Sequence, residues 1–115
     1  MRFTIEGVGE AEGELIRYLS PRIVDSIIRR LPFEGRVALR EGEVYFQVRL
    51  GLGVEKPKKT VDKGQIAYWP YADALSVFLA ASQLNSPVCL VGRITSGLDL
   101  FTRLGSGTKI IVRKA

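Results

Sequence analysis

Val88-Cys-Leu-Val-Gly-Arg-Ile-Thr-Ser-Gly-Leu-Asp-Leu-Phe-Thr-Arg-Leu104 is the stretch of sequence that decides the fold. Its apolar first half predicts a buried strand over residues 88–94. Ser96 then suits the N-cap of a helix, and Asp99 stands at the capping-box position three residues later. The stretch therefore predicts a strand, a glycine-containing turn and a short helix that ends at Gly105, with a last strand over residues 109–112.

The rest of the chain consists mostly of short segments in which apolar and polar residues alternate, and this pattern predicts strands. One exception begins at Ser20-Pro21, where a capping serine and an N1 proline favour a helix that Pro32 ends. With no strand–helix alternation, the pattern predicts a mainly β protein, a compact closed antiparallel barrel with two short helices, as one domain over residues 1–115. The other predicted strands are 2–5, a partner carrying Ala11, Gly13 and Leu15, a hairpin of 36–40 and 43–50, then 65–69 and 75–80.

Composition places the chain among ordinary globular proteins, with 46% hydrophobic and 25% charged residues in 115. The longest apolar run, residues 74–81, is far shorter than the roughly 20 residues that span a bilayer, so we expect no membrane association. No leader pattern follows Met1, so we expect a cytoplasmic protein. Cys89 is the only cysteine and lies in an apolar run, which favours a buried, inert thiol.

The chain contains no histidine. This removes the commonest general base, the catalytic triads that depend on it and most zinc sites. The glycine-rich segment 105–109 lacks the spacing of a phosphate-binding loop and precedes a strand instead of a helix. We therefore expect no cofactor and no metal.

The net charge of +5 raises the question of nucleic acid. Lysines are concentrated in one predicted loop, at Lys56, Lys58, Lys59 and Lys63. A solvated basic loop is the simpler interpretation, and binding of nucleic acid through these lysines is a minor alternative.

Two groups of residues are candidates for ligand binding. Tyr68-Trp69-Pro70-Tyr71 places three aromatic rings at a strand end, and alternation predicts that either Tyr68 or Trp69 lies in the core. Tyr45, Gln47 and Arg49 share the face of their strand opposite to the core face, as an ordinary polar surface or as a groove floor. We predict a surface groove lined by Tyr45, Gln47, Arg49, Trp69 and Tyr71.

Several segments, taken in order, resemble the cyclophilins. Ser20-Pro21 and the helix after it resemble an Ala-Pro-x-Thr-Ala helix, and residues 44–48 resemble a Val-Phe-His-Arg-Val strand. Residues 64–68 and 76–79 resemble the next two strands, and residues 91–104 resemble the closing strand, turn and helix. The short chain is most similar to small prokaryotic cyclophilin-like proteins, a group with no settled function.

The resemblance also implies where prolyl isomerase residues would lie. Gln47 falls at the position of the catalytic arginine, Val88 at that of the histidine and Gln83, less securely, at that of the tryptophan. Val77 falls near the family's glutamine. Arg49 lies on the same strand face as Gln47 and could replace the missing cation, and Trp69 could replace the pocket aromatic.

Three hypotheses of function follow. The first is a binding domain for a peptide segment or small molecule, as a monomer or small homo-oligomer, without the standard isomerase residues. The second is a weak or altered peptidyl-prolyl cis-trans isomerase that uses Arg49. The third is an RNA-associated barrel that uses the Lys56–Lys63 loop.

Overall fold

The computed structural model describes residues 1–115, which form ten strands, one α-helix and two short 3-10 helices. The α-helix α1 spans Pro21–Arg30, and the 3-10 helices span Arg17–Leu19 and Leu98–Thr102. The strands are β1 Arg2–Ile5, β2 Gly9–Leu15, β3 Phe33–Arg36, β4 Ala38–Arg40, β5 Glu43–Gln47, β6 Lys58–Val61, β7 Gln65–Trp69, β8 Ala74–Phe78, β9 Ser82–Ser96 and β10 Lys109–Arg113.

All ten strands belong to one antiparallel, curled sheet, in the order β3-β10-β1-β2-β9-β7-β8-β5-β4, with β6 paired to β9 outside this path. The prediction of a closed barrel is wrong, because no ladder joins the edge strands β3 and β4. These strands are consecutive in the chain, with only Val37 between them. The backbone of Val37 bonds to Gly107 and Thr108 instead of across the gap, so the sheet stays open there.

The prediction of two helices is also wrong, because α1 is the only α-helix. Ser96 belongs to β9 and caps nothing, while Gly97 takes a left-handed conformation with φ of 84°. A Cβ at Gly97 would lie 3.0 Å from the Ala11 Cα, so the turn passes directly against β2. The five residues that follow form a 3-10 helix that buries Phe101.

Helix α1 begins at Pro21 as predicted, but Ser20 makes no capping hydrogen bond. The carboxylate of Glu55 takes that role from a distant loop, and accepts hydrogen bonds from the backbone N–H groups of Arg22 at 3.2 Å and Ile23 at 3.1 Å. Negative charge at a helix N-terminus also complements the helix dipole. Glu55 therefore ties the loop that precedes β6 to the start of the helix.

The hydrophobic residues form two clusters on opposite sides of the sheet. The larger cluster has 21 buried residues inside the curled sheet, against α1. The smaller cluster lies on the outward side of β7 and β8 and is covered in part by β6, and Trp69 and Leu84 pack against it. Its members are Val61, Ala67, Phe78, Val88 and Leu90. No helix in the structure has the length and apolar character needed to cross a membrane.

Candidate functional site

The candidate site lies on the outer face of strands β4, β5, β8 and β7, the side turned away from the larger core. Residues paired across neighbouring strands project on the same side of a sheet, so the pairings define this face. Small residues form its middle and larger ones its margins. The paired rows are Arg40–Glu43–Phe78, Ala38–Tyr45–Ser76–Ala67 and Gln47–Ala74–Trp69.

Trp69 lies at the β7 margin of the outer face and is partly buried there. The Tyr45 ring meets it edge-on, with centroids 5.5 Å apart, and the guanidinium carbon of Arg40 lies 4.7 Å from its centroid. Tyr68 points into the core instead and is fully buried. The prediction that one of this pair is a core residue is confirmed, and Trp69 is the member on the outer face.

A cleft of about 150 Å³ opens beside Trp69, and we call it the Trp69 cleft. Glu43, Trp69, Phe78 and Val88 line its inner part, Arg40 and Glu41 its rim, and residues 82–86 of β9 its far wall. Glu43 is buried, with only 6% of its surface exposed. The ring nitrogen Nε1 of Trp69 and the hydroxyl of Ser76 on the same face are buried with no hydrogen-bond partner. Unpaired buried polar groups are uncommon in folded proteins.

Gln47 and Arg49 line a different depression, the seam groove, which lies between residues 33–36 and residues 47–49 where the sheet stays open. Arg49 has a φ of 58°, which is uncommon for a residue other than glycine. Its carbonyl oxygen accepts a hydrogen bond from Arg30 Nη2 at 3.2 Å, and its side chain is exposed. The cation of Arg49 therefore lines a cleft that does not include Trp69.

The five residues predicted to line one groove are distributed over separate clefts. Tyr45 and Gln47 share a third cleft with Ala72 and Ala74, and Tyr45 connects it to Trp69 through the ring contact. Tyr71 is 74% exposed and lines none of these clefts. Sequence reasoning missed Arg40 and Glu43, although the alternation of β5 already places Glu43 on the face of Tyr45. Of the wall it named only Gln83, which the resemblance places at the family's tryptophan, and it named Val88 at the family's histidine.

A hydrogen-bond network on the other side of β7 holds the chain that follows β5. The Tyr68 hydroxyl donates to Asp73 Oδ1 at 2.6 Å and accepts from the Leu52 N–H at 3.1 Å. Burial, followed by the bond to Asp73, raises the pKa of Tyr68 to about 12. Burial acts to raise the pKa of Asp73, but the bonds from Tyr68, Gly51 and Leu50 outweigh it, and the pKa lies below its ordinary value.

The remaining predicted features lie elsewhere. Cys89 is buried as expected, and burial raises the pKa of its thiol. Lys58 and Lys59 lie exposed on β6, and Lys63 is exposed in the turn before β7. Lys56 donates from Nζ to the Tyr18 carbonyl oxygen at 2.9 Å. No group of three or more acidic or cysteine side chains is arranged to hold a metal ion.

Comparison with known proteins agrees with this architecture. A family model described as cyclophilin-like matches residues 1–113. The chain belongs to the cyclophilin-like family. The resemblance found in the sequence is thereby confirmed, and a search of curated proteins gives no match.

Two solved structures are similar to this cyclophilin-like chain. One is the solution structure of the hypothetical protein AF2241 from Archaeoglobus fulgidus, with a TM-score of 0.80 and 25% identity, over 99% of this chain and 92% of that one. The other is McbB in complex with tryptophan, with a TM-score of 0.83 and 14% identity. The match covers 98% of this chain but 44% of McbB, and it shows a shared fold only.

Proposed function

We propose that this cyclophilin-like chain is a binding domain that holds a peptide segment or small molecule in the Trp69 cleft. The observation that carries the proposal is the partly buried indole on the outer face, bordered by a buried carboxylate and a wall of mostly neutral polar residues. An apolar surface with a few convergent polar groups is the usual composition of a ligand site.

The chemistry of the cleft suits recognition better than bond breaking. Its lining residues include no histidine, cysteine or lysine. Glu43 is its one buried acid, and the second acid of the lining, Glu41, lies exposed at the rim. The far wall contributes Ser82, Gln83, Asn85 and Ser86, whose side chains can both donate and accept hydrogen bonds. A peptide backbone needs both kinds of partner, so a short extended segment fits this lining.

The proposal revises the predicted groove. Tyr45 and Trp69 remain together as contacting aromatic rings, while Gln47 and Arg49 border the seam groove. We therefore expect ligand contacts from Trp69, Glu43 and residues 82–86, with Tyr45 supporting the indole ring. Binding of RNA by the Lys56–Lys63 loop is the alternative function, and a cytoplasmic location remains a prediction.

Isothermal titration calorimetry tests the proposal with two probes. One is the acetylated tripeptide amide Ala-Pro-Ala, and the other is tryptophan amide, chosen because McbB was solved with tryptophan. We expect at least one to bind, and Trp69→Ala to weaken that binding by about tenfold or more, the loss typical of a central aromatic contact. The matched control is Tyr18→Ala, since Tyr18 is an exposed aromatic outside the cleft.

The result that would contradict the proposal is binding that Trp69→Ala leaves unchanged while the variant keeps its far-ultraviolet circular dichroism spectrum. Equal losses in the Trp69 and Tyr18 variants would also contradict it, since the effect would then not be specific to the cleft.

A further inference from the structure

We propose that the Trp69 cleft recognises a cationic group, a guanidinium or an ammonium, and that Arg40 occupies this cation subsite in the free protein. The inference rests on the proposed binding function and names the ligand chemistry that it selects. The subsite is the space between the Trp69 ring and the Glu43 carboxylate.

The position of Arg40 shows that the subsite accepts a cation. Its guanidinium carbon lies 4.7 Å from the Trp69 centroid, within the range of a cation–π contact. Its Nε lies 3.7 Å from Glu43 Oε1. An aromatic face and a carboxylate thus converge on one positive group, the combination by which proteins bind guanidinium and ammonium ligands.

The Glu43 carboxylate is poorly satisfied by Arg40 alone. Its side chain is 7% exposed, yet the separation of 3.7 Å exceeds the distance of a hydrogen bond, and no other group donates to it. The Glu43 oxygens are not fully buried, so solvent can still reach them. A ligand cation that placed its N–H groups within hydrogen-bond distance of Glu43 would give this carboxylate the charge-assisted donors that Arg40 does not supply.

The charge of the cleft is opposite to that of the whole chain. The chain carries a net charge of +5, but the cleft lining has two carboxylates, Glu41 and Glu43, and one guanidinium, Arg40. When Arg40 turns away, both remaining charges are negative. A cationic ligand is therefore attracted to a local acidic site on a basic protein.

The Arg40 side chain can also move out of the cation subsite. It lies on β4, a three-residue edge strand that pairs only with β5, and its side chain is 48% exposed. The wall of residues 82–86 then adds neutral hydrogen-bonding groups beside the subsite. The cation could come from a free small molecule or from an arginine or lysine of a peptide, and both present the same charged group.

The test compares N-acetyl-arginine amide with N-acetyl-citrulline amide, which has nearly the same shape but no charge. It also compares the acetylated tripeptide amide Gly-Arg-Gly with the acetylated tripeptide amide Gly-citrulline-Gly. Trp69 is the only tryptophan, so its fluorescence reports binding directly. Arg40→Ala removes the resident cation, and we expect it to bind the arginine probes about tenfold more tightly than the wild type, without a gain for the citrulline probes. Arg29→Ala, an exposed arginine on α1, is the matched control and is expected to behave as the wild type.

Glu43→Gln in the Arg40→Ala background is expected to abolish the preference for arginine over citrulline. If that double variant does not fold, the test of the cation subsite is the comparison of arginine and citrulline probes in Arg40→Ala alone. Equal affinity of Arg40→Ala for the charged and neutral probes would overturn the cation subsite, and so would weaker arginine binding than in the wild type. Binding of neutral probes at Trp69 with no charge preference would leave the proposed function standing while rejecting this inference. Tighter binding of acetylated Gly-Arg-Gly amide than of N-acetyl-arginine amide would identify a peptide as the source of the cation.

Discussion

The guanidinium carbon of Arg40 lies 4.7 Å from the centroid of the Trp69 ring, although strands β5 and β8 separate β4 from β7 in the sheet. At about 4.8 Å per strand, the two backbones are roughly 14 Å apart, so both side chains lie flat across the outer face. They can do so because the residues between them, Ala74 and Ser76, are small. The contact defines one side of the Trp69 cleft.

The first prediction concerns the strength of this contact. A double-mutant cycle with Arg40→Ala and Trp69→Phe is expected to give a coupling free energy of about 0.5–1 kcal/mol, as for a partly exposed cation–π pair. Urea denaturation at neutral pH provides the four unfolding free energies. A parallel cycle that pairs Trp69→Phe with Arg29→Ala is the control, and equal coupling in both cycles would refute a specific contact.

The second prediction concerns Tyr68. Its pKa is raised to about 12, from an ordinary value of 10.0, because burial and the bond to Asp73 favour the neutral phenol in the folded state. The resulting stabilisation is complete below pH 10 and is lost as the pH rises towards 12. Spectrophotometric titration of the four tyrosines is expected to show one late-ionising group, and Tyr68→Phe to remove it. Loss of an early-ionising group instead would refute the assignment.

The third prediction concerns Gly92, in the stretch that decides the fold. A Cβ at this position would overlap the carbonyl oxygen of Glu14 on the neighbouring strand β2. Backbone atoms of a paired strand cannot move aside cheaply, so Gly92→Ala is expected to destabilise the protein by about 3 kcal/mol or more. Gly105→Ala, where nothing lies within 4 Å of the added carbon, is expected to change stability little. Thermal unfolding measures both, and equal melting temperatures would contradict the close approach.

The fourth prediction concerns prolyl isomerisation. The barrier of about 20 kcal/mol is lowered by a donor positioned at the amide, and neutral Gln47 is a weaker donor than a cation. Arg49 lines the seam groove, away from Trp69. A proline-containing tetrapeptide assay is therefore expected to show no acceleration above the uncatalysed rate. Acceleration that Arg49→Ala abolishes would instead support the alternative of an altered isomerase.

The sequence predicted most of the elements because their patterns are local. Ser20-Pro21 and the apolar stripe after it place the start of α1 correctly. Alternation predicted that one of Tyr68 and Trp69 lies in the core, but only the structure shows that it is Tyr68. Strand β6, Lys58–Val61, was missed because three of its four residues are exposed and polar, so apolar and polar residues do not alternate along it. The strand β3 was missed because it is only four residues long and contains Gly35.

The site was harder to predict, because its residues meet only through strand order. Arg40 and Trp69 are 29 positions apart in sequence, and their side chains meet across β5 and β8, which lie between their strands. The first five residues of β9, residues 82–86, are mostly polar, and three of them are exposed, so nothing in their pattern distinguishes a cleft wall from a loop. Likewise, whether the sheet closes depends on the hydrogen bonds of Val37, which no local pattern reveals.

The most direct test of the central claim is a map of amide and indole chemical-shift changes in ¹⁵N–¹H spectra during titration with the Ala-Pro-Ala and Gly-Arg-Gly tripeptide amides. Binding in the Trp69 cleft predicts the largest changes at the Trp69 indole N–H and at the amides of Glu43 and residues 82–86. Changes concentrated instead at residues 33–36 and 47–49, which line the seam groove, would contradict the account.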